Sequence, residues 1–406
     1  VASFFKRKKN ILNLTICLAV LSLVAVGCTG QTFQGWSGFA EHEGILYFGG
    51  IDGRVFAISL EARSQNLNFP GENEWVFSIP KAGSTGTICG PACAPASPQQ
   101  SIYATPVVVG DLLCIGIYSG QTGRLVAINR LSPGYNEGVP QRSKGEWTYP
   151  SGGSSSMGAI VGSPVVVDDT LYVGSSDGNL YAIDAVYGEK KWEFNAGDKI
   201  WTSPVIEDGV IYISNYEKKI FAVSADGGAM IWSTELPSSV ASSPSVSADS
   251  IFVGTFDNRL YALDKTTGSI KWDFQGGNWF WSTPVVKDGT IYAGCLDGNI
   301  YSIDASTGKE LWRFITDGQV ASTPVLVDDV LVVASNIIDS KSGKIYILDV
   351  NNKGEERSVV AIGGEVMAPL YAQGNSVYVH SSNFYIYSID VQNGTETWEF
   401  HYSDNE

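Results

Sequence analysis

The chain has 406 residues, with 26 Lys+Arg against 42 Asp+Glu and a formal net charge of −16. That acidic balance argues against nucleic acid as a partner and against general adhesion to anionic lipid headgroups. It favours solubility in an extracytoplasmic space and leaves room for a basic partner.

The first predicted element is a leader. Lys6, Arg7, Lys8 and Lys9 form a basic start, residues 11–27 are an apolar run, and Ala25-Val26-Gly27 precede Cys28. A basic start, an apolar stretch and small residues at a cut are the pattern of a secretory signal. The Gly-Cys junction resembles a bacterial lipobox. The expectation is a lipoprotein-type signal peptide over 1–27, lipidation of Cys28, and a short linker over 28–35. The alternative is an uncleaved signal anchor, for which seventeen apolar residues are marginally long. Beyond the leader the chain carries 22 Lys+Arg against 42 Asp+Glu, or −20.

From residue 36 to 402 one pattern repeats. Pro164, Pro204, Pro244, Pro284 and Pro324 lie forty residues apart, as do Trp192, Trp232, Trp272 and Trp312. Within residues 164–195 four runs rich in Val, Ile, Tyr, Trp and Phe are divided by Asp168-Asp169, Asp177-Gly178 and Gly188. Short β-branched and aromatic runs between such turns predict a meander of four antiparallel strands. A forty-residue period of such units predicts a β-propeller. Looser copies extend the count. Unit one has Ala40 in the proline slot and Trp75. Unit two has Pro106 and Trp147. Unit seven has Arg357 or Ser358 in place of Trp and Ile347 in place of a small residue. Unit eight has Pro369 and Trp398. The expectation is therefore all-β, a single eight-bladed propeller of four-stranded antiparallel blades over 36–402, with a C-terminal tail at 403–406.

The third-to-fourth-strand segment reads YAIDAVYGEKKW at 181, YALDKTTGSIKW at 261 and YSIDASTGKELW at 301. Its Asp can cap the turn, its Gly suggests positive φ, and its Trp can seal a gap between sheets. The motif resembles the tryptophan-docking repeat of pyrroloquinoline-quinone (PQQ) type propellers, over nearly all of 36–402. That family includes both quinoprotein dehydrogenases and cofactor-free propellers.

Candidate chemistry is sparse. Cys114 and Cys295 lie in second-strand runs and read as buried thiols. Cys89 and Cys93, in a Gly/Pro/Ser-rich insertion, are spaced for a short disulfide loop in an oxidising compartment. They are not the adjacent cysteine pair that quinoprotein dehydrogenases place against their cofactor. His42, His380 and His401 belong to no metal pattern. Asp168-Asp169 and Asp328-Asp329 read as solvated turns. No catalytic, cofactor or metal residues are assigned.

Three residues before each proline stand Tyr103, Val161, Trp201, Ala241, Trp281, Ala321 and Val366. First strands are innermost in a propeller, so these positions could ring one mouth of the central funnel. Tyr103, Trp201 and Trp281, with Trp279 and Phe280, would give it an aromatic rim for a partner or ligand. The alternative is inner-strand packing that fills the channel. The insertions 80–101, 149–159 and 336–343 belong to loops of the same face.

Three functions follow. Length, blade number and leader are similar to the lipoprotein of the outer-membrane β-barrel assembly machinery (the BamB type). That resemblance implies a lipid-anchored scaffold that binds protein partners in the cell envelope, periplasm-facing or at the cell surface, with no cofactor. The second is a PQQ-dependent dehydrogenase, which needs a calcium site and a catalytic Asp. The third is a sugar- or peptide-binding sensor module.

Overall fold

The structure, a computed structural model, describes residues 35–71, 73–79, 100–120, 122–131, 146–151 and 157–403. Eight antiparallel sheets follow one another along the chain, each a meander whose spatial order is its sequence order. Blade 3 is representative: Val165–Val167, Thr170–Gly174, Asn179–Asp184 and Lys190–Asn195. First strands of neighbouring blades approach each other around the axis. Blade 2 adds a two-residue strand, Met157–Gly158, paired with Thr122 and Gly123. The one helix among the described residues, Leu60–Ser64, lies in the insertion of blade 1. It is fixed by a buried Arg63–Glu74 ion pair, 2.9 Å.

The repeat residues explain the blade. At the first turn Asp168 and Asp169 have φ 47° and 55°, and both are exposed, as the sequence predicts. At the third-to-fourth turn, Asp304 Oδ1 accepts from the amides of Ser306 and Thr307 and from both hydroxyls. These bonds stabilise the carboxylate and lower the Asp304 pKa to about 2. Across strands three and four a small residue faces the Trp: Ala182 opposite Trp192, Ala262 opposite Trp272, Ser302 opposite Trp312. Each indole then reaches the next blade. Trp192 Nε1 donates to Ala225 O at 3.2 Å, Trp232 to Lys265 O at 3.1 Å and Trp272 to Ala305 O at 3.1 Å. These rings are half-buried, whereas Trp75 is fully covered.

The turn glycine serves two needs. Gly268 has φ +73°, and a Cβ there would lie 2.5 Å from the Trp232 ring. The backbone requires Gly at this point, and so does the docked indole of the preceding blade.

Blade 7 resolves its own irregularity. Ile347 pairs with Ser358, so Ser358 occupies the tryptophan slot. Its hydroxyl donates to Gly394 O of blade 8 at 2.9 Å. Large and small residues have exchanged strands, and the gap is sealed from the third strand.

The strand register corrects two assignments. Phe39 pairs with Phe48 and Ala40 with Tyr47, so Ala40 matches Val165 and Phe39 holds the proline slot of blade 1. In blade 8 Tyr371 pairs with Tyr378, so Leu370 holds that slot and Pro369 precedes it. Proline is tolerated at the residue before a strand as well as at its first position, so its place alone is a one-residue-uncertain marker.

The ring closes without strand exchange. Phe39, Phe48 and Phe56 of blade 1 form one core with Tyr378, Ile386 and Tyr402 of blade 8. Among the described residues no helix is long and apolar enough to cross a membrane.

Candidate funnel site

The chain entering each blade supplies two inward columns. The residue before the proline slot is Thr105, Ser163, Ser203, Ser243, Thr283 or Thr323 in blades 2–7. These residues tie neighbouring blades together near the axis. Ser163 Oγ accepts from the amide of Thr105 at 2.9 Å, Ser203 Oγ from Ser163 at 2.8 Å, Ser243 Oγ from Ser203 at 2.9 Å and Thr323 Oγ1 from Thr283 at 3.2 Å. Each hydroxyl satisfies an amide that the first strand cannot pair locally.

The second column stands three residues before the slot. In the corrected register it reads Trp36, Tyr103, Val161 and Trp201 in blades 1–4, then Ala241, Trp281, Ala321 and Met367 in blades 5–8. All eight line one cavity of about 360 Å³ on the axis. Val366, named from the sequence, is instead fully buried, with its amide and carbonyl bonded to Asn336.

The aromatic residues form three groups. Trp36 meets Tyr103 edge-on at 4.6 Å, and Tyr103 meets Tyr118 at 5.2 Å. Trp201 lies 5.2 Å from Tyr216, and its Nε1 donates to Ser176 Oγ at 2.9 Å. Phe256 contacts Trp279 at 5.0 Å and Trp281 at 6.0 Å. Burial pushes the Tyr103 hydroxyl up to about 12, so it stays protonated and neutral. Among the described residues Lys199 is the one charged residue of the lining; its ammonium lies 5.4 Å from the centre of the Trp201 ring.

Of the rim residues expected from sequence, Tyr103, Trp201, Trp279 and Trp281 line the cavity. Phe280 does not. In an extended stretch successive side chains alternate, so Phe280 turns away from the cavity when its neighbours face it. It is fully buried between blades, against Phe274 and Tyr301. Sequence reasoning missed Trp36, Tyr118, Tyr216, Phe256 and Lys199. Tyr216 and Phe256 share a repeat column with Ser176 and Leu296, just after the second strand, and that spacing was a usable signal.

Cys28, Cys89 and Cys93 lie outside the described residues. Cys114 and Cys295 are buried free thiols, and burial pushes the Cys114 thiol up to about 12. Among the described residues no group of three or more His, Cys, Asp or Glu side chains is placed to hold a metal ion.

A family model described as outer membrane protein assembly factor BamB matches residues 94–194 and 276–352. The matched stretches make up less than half of the chain, whose fold is an eight-bladed β-propeller. BamB from Moraxella catarrhalis is similar to this chain at 24% identity and a TM-score of 0.51, over 59% of this chain and 72% of that one. The computationally designed Ika8 protein is similar at 14% identity and 0.63, over 92% and 97%. Quinohemoprotein alcohol dehydrogenase from Comamonas testosteroni is similar at 15% identity and 0.58, over 74% and 67%. At these identities the solved structures speak for the fold. No curated protein matches the chain.

Proposed function

We propose that this PQQ-like propeller is a lipid-anchored, extracytoplasmic scaffold that binds protein partners of the cell envelope, in outer-membrane protein assembly. The match of the BamB family model to two separate stretches of the ring carries this reading. The Gly27-Cys28 junction supplies the anchor, with acylation at the cysteine. More than one acyl chain gives stable membrane attachment where a single chain is marginal. The funnel face presents Trp201, Trp281 and Tyr103, residue types that dominate binding energy at interfaces.

A quinone-dependent dehydrogenase finds no support in these residues. The six cysteines include no adjacent pair, and among the described residues the funnel lining carries no carboxylate to hold calcium or act as a base.

Affinity purification of the full-length protein from its native membrane tests the proposal. Recovery of a β-barrel assembly complex is the expected result. Recovery of an unrelated complex, or of none, would overturn the assembly role.

A further inference from the structure

The funnel lining is chemically one-sided. The chain has 42 acidic residues, yet among the described residues none lines the cavity, and Lys199 is the one charged residue there. Among the described residues Lys199 makes no ion pair, and its described side-chain contact is the face of Trp201. Below the aromatic walls, Ser163, Ser203, Ser243 and Thr323 each accept an amide proton from a neighbouring blade. None of these four hydroxyls is used as a donor among the described residues. A hydroxyl that already accepts a bond is polarised as a donor, and hydroxyls lining a cavity have a proton to give. Aromatic walls, unused donors and a lone cation suit an apolar body that ends in acceptors carrying negative charge. A polyhydroxylated sugar is the poorer match, because among the described residues the lining offers no carboxylate to accept its protons. A basic ligand is opposed by Lys199.

We infer that the funnel is a binding site for a monocarboxylate on a ring-sized apolar body, its carboxylate held by the hydroxyl ring and attracted by Lys199. The same chemistry is offered by the C-terminal residue of a peptide chain and by a free arylalkanoic acid. The site does not depend on the scaffold reading, and its test needs no membrane partner.

Titration calorimetry on the folded protein would use 3-phenylpropanoate, 3-phenylpropanamide, and a tetrapeptide ending in tyrosine with a free or amidated C-terminus. The acids should bind at least about tenfold more tightly than the matching amides, the scale of one charge-assisted hydrogen bond. Lys199→Gln, at an exposed position, should weaken the acids and leave the amides unchanged. Trp281→Ala should abolish both. Tighter binding of the tetrapeptide would assign the site to chain ends, and tighter binding of the free acid to small molecules. Equal binding of acid and amide, acid binding insensitive to Lys199→Gln, or no acid binding at all would overturn the inference.

Discussion

Nε2 of His380 lies 2.8 Å from the hydroxyl of Tyr402, fully buried in the seam where the last blade meets the first. Nδ1 of the same ring lies 2.8 Å from the carbonyl oxygen of Ser37. A carbonyl only accepts, so Nδ1 carries the proton, Nε2 accepts from Tyr402, and Tyr402 accepts from the amide of Ile51 at 3.3 Å. The repeat explains why a histidine fits there. Its column holds Gly174, Ser214, Gly254 and Gly294 in other blades, and a bulky residue of the next blade covers the glycines: Ile200 over Gly174, Phe280 over Gly254 and Val320 over Gly294. At the seam the covering position is Gly35, and the side-chain volume comes from His380 instead.

Burial lowers the His380 pKa from 6.5 to about 4. The neutral ring is the native form, so the unfolded chain binds the extra proton between those values. Stability should be complete above pH 6.5 and fall as pH drops towards 4, by about 1.4 kcal/mol per unit. Urea midpoints measured across pH 4–7 should show this slope, and His380→Gln should remove its share of it. An unchanged slope in the variant would reject the seam as the acid-sensitive point.

Trp272→Ala deletes a half-buried ring and its bond to Ala305 O. A loss of about 3 kcal/mol is expected, at the lower end for large aromatics because the ring is partly exposed. Thermal unfolding measures it, and an unchanged melting curve would contradict the docking role of these indoles.

Blade 7 offers a coupled test. Ser358→Trp alone should destabilise by overpacking against Ile347. Combined with Ile347→Ala it should recover much of that loss, because the pair then matches its counterparts. A double-mutant cycle reads the coupling, and additive costs would show that the two positions do not compensate.

Gly268→Ala must adopt positive φ and displace the Trp232 ring at once. The expected cost is about 2 kcal/mol or more. Gly289→Ala has the same φ problem with nothing within 4 Å, so it should cost less. Equal losses in chemical denaturation would remove the packing half of the explanation.

Most of the fold was legible because the repeat carries redundant marks. The cap Asp264, the turn Gly268 and the paired Ala262 and Trp272 each fix the same turn. Where one mark stood alone, register slipped. Pro369 and Ala40 each misplaced a strand start by one residue, which hid Trp36 and put the buried Val366 on the rim. Parity explains Phe280, since three consecutive aromatics cannot all face one cavity. The hydroxyl ring was visible in sequence only as Ser-Pro and Thr-Pro pairs. Its meaning depends on amides of the neighbouring blade, which no single repeat contains.

The proposed scaffold role requires an envelope protein to be held at the funnel face. A photo-crosslinking residue replacing Tyr216, beside Trp201, probes that face in cells. The same residue replacing Tyr187, exposed at a third-to-fourth-strand turn, probes the opposite one. Cross-links to an outer-membrane assembly protein from position 216 and not from 187 are the predicted result. Cross-links from 187 alone, or from neither position in a folded and correctly exported protein, would contradict it.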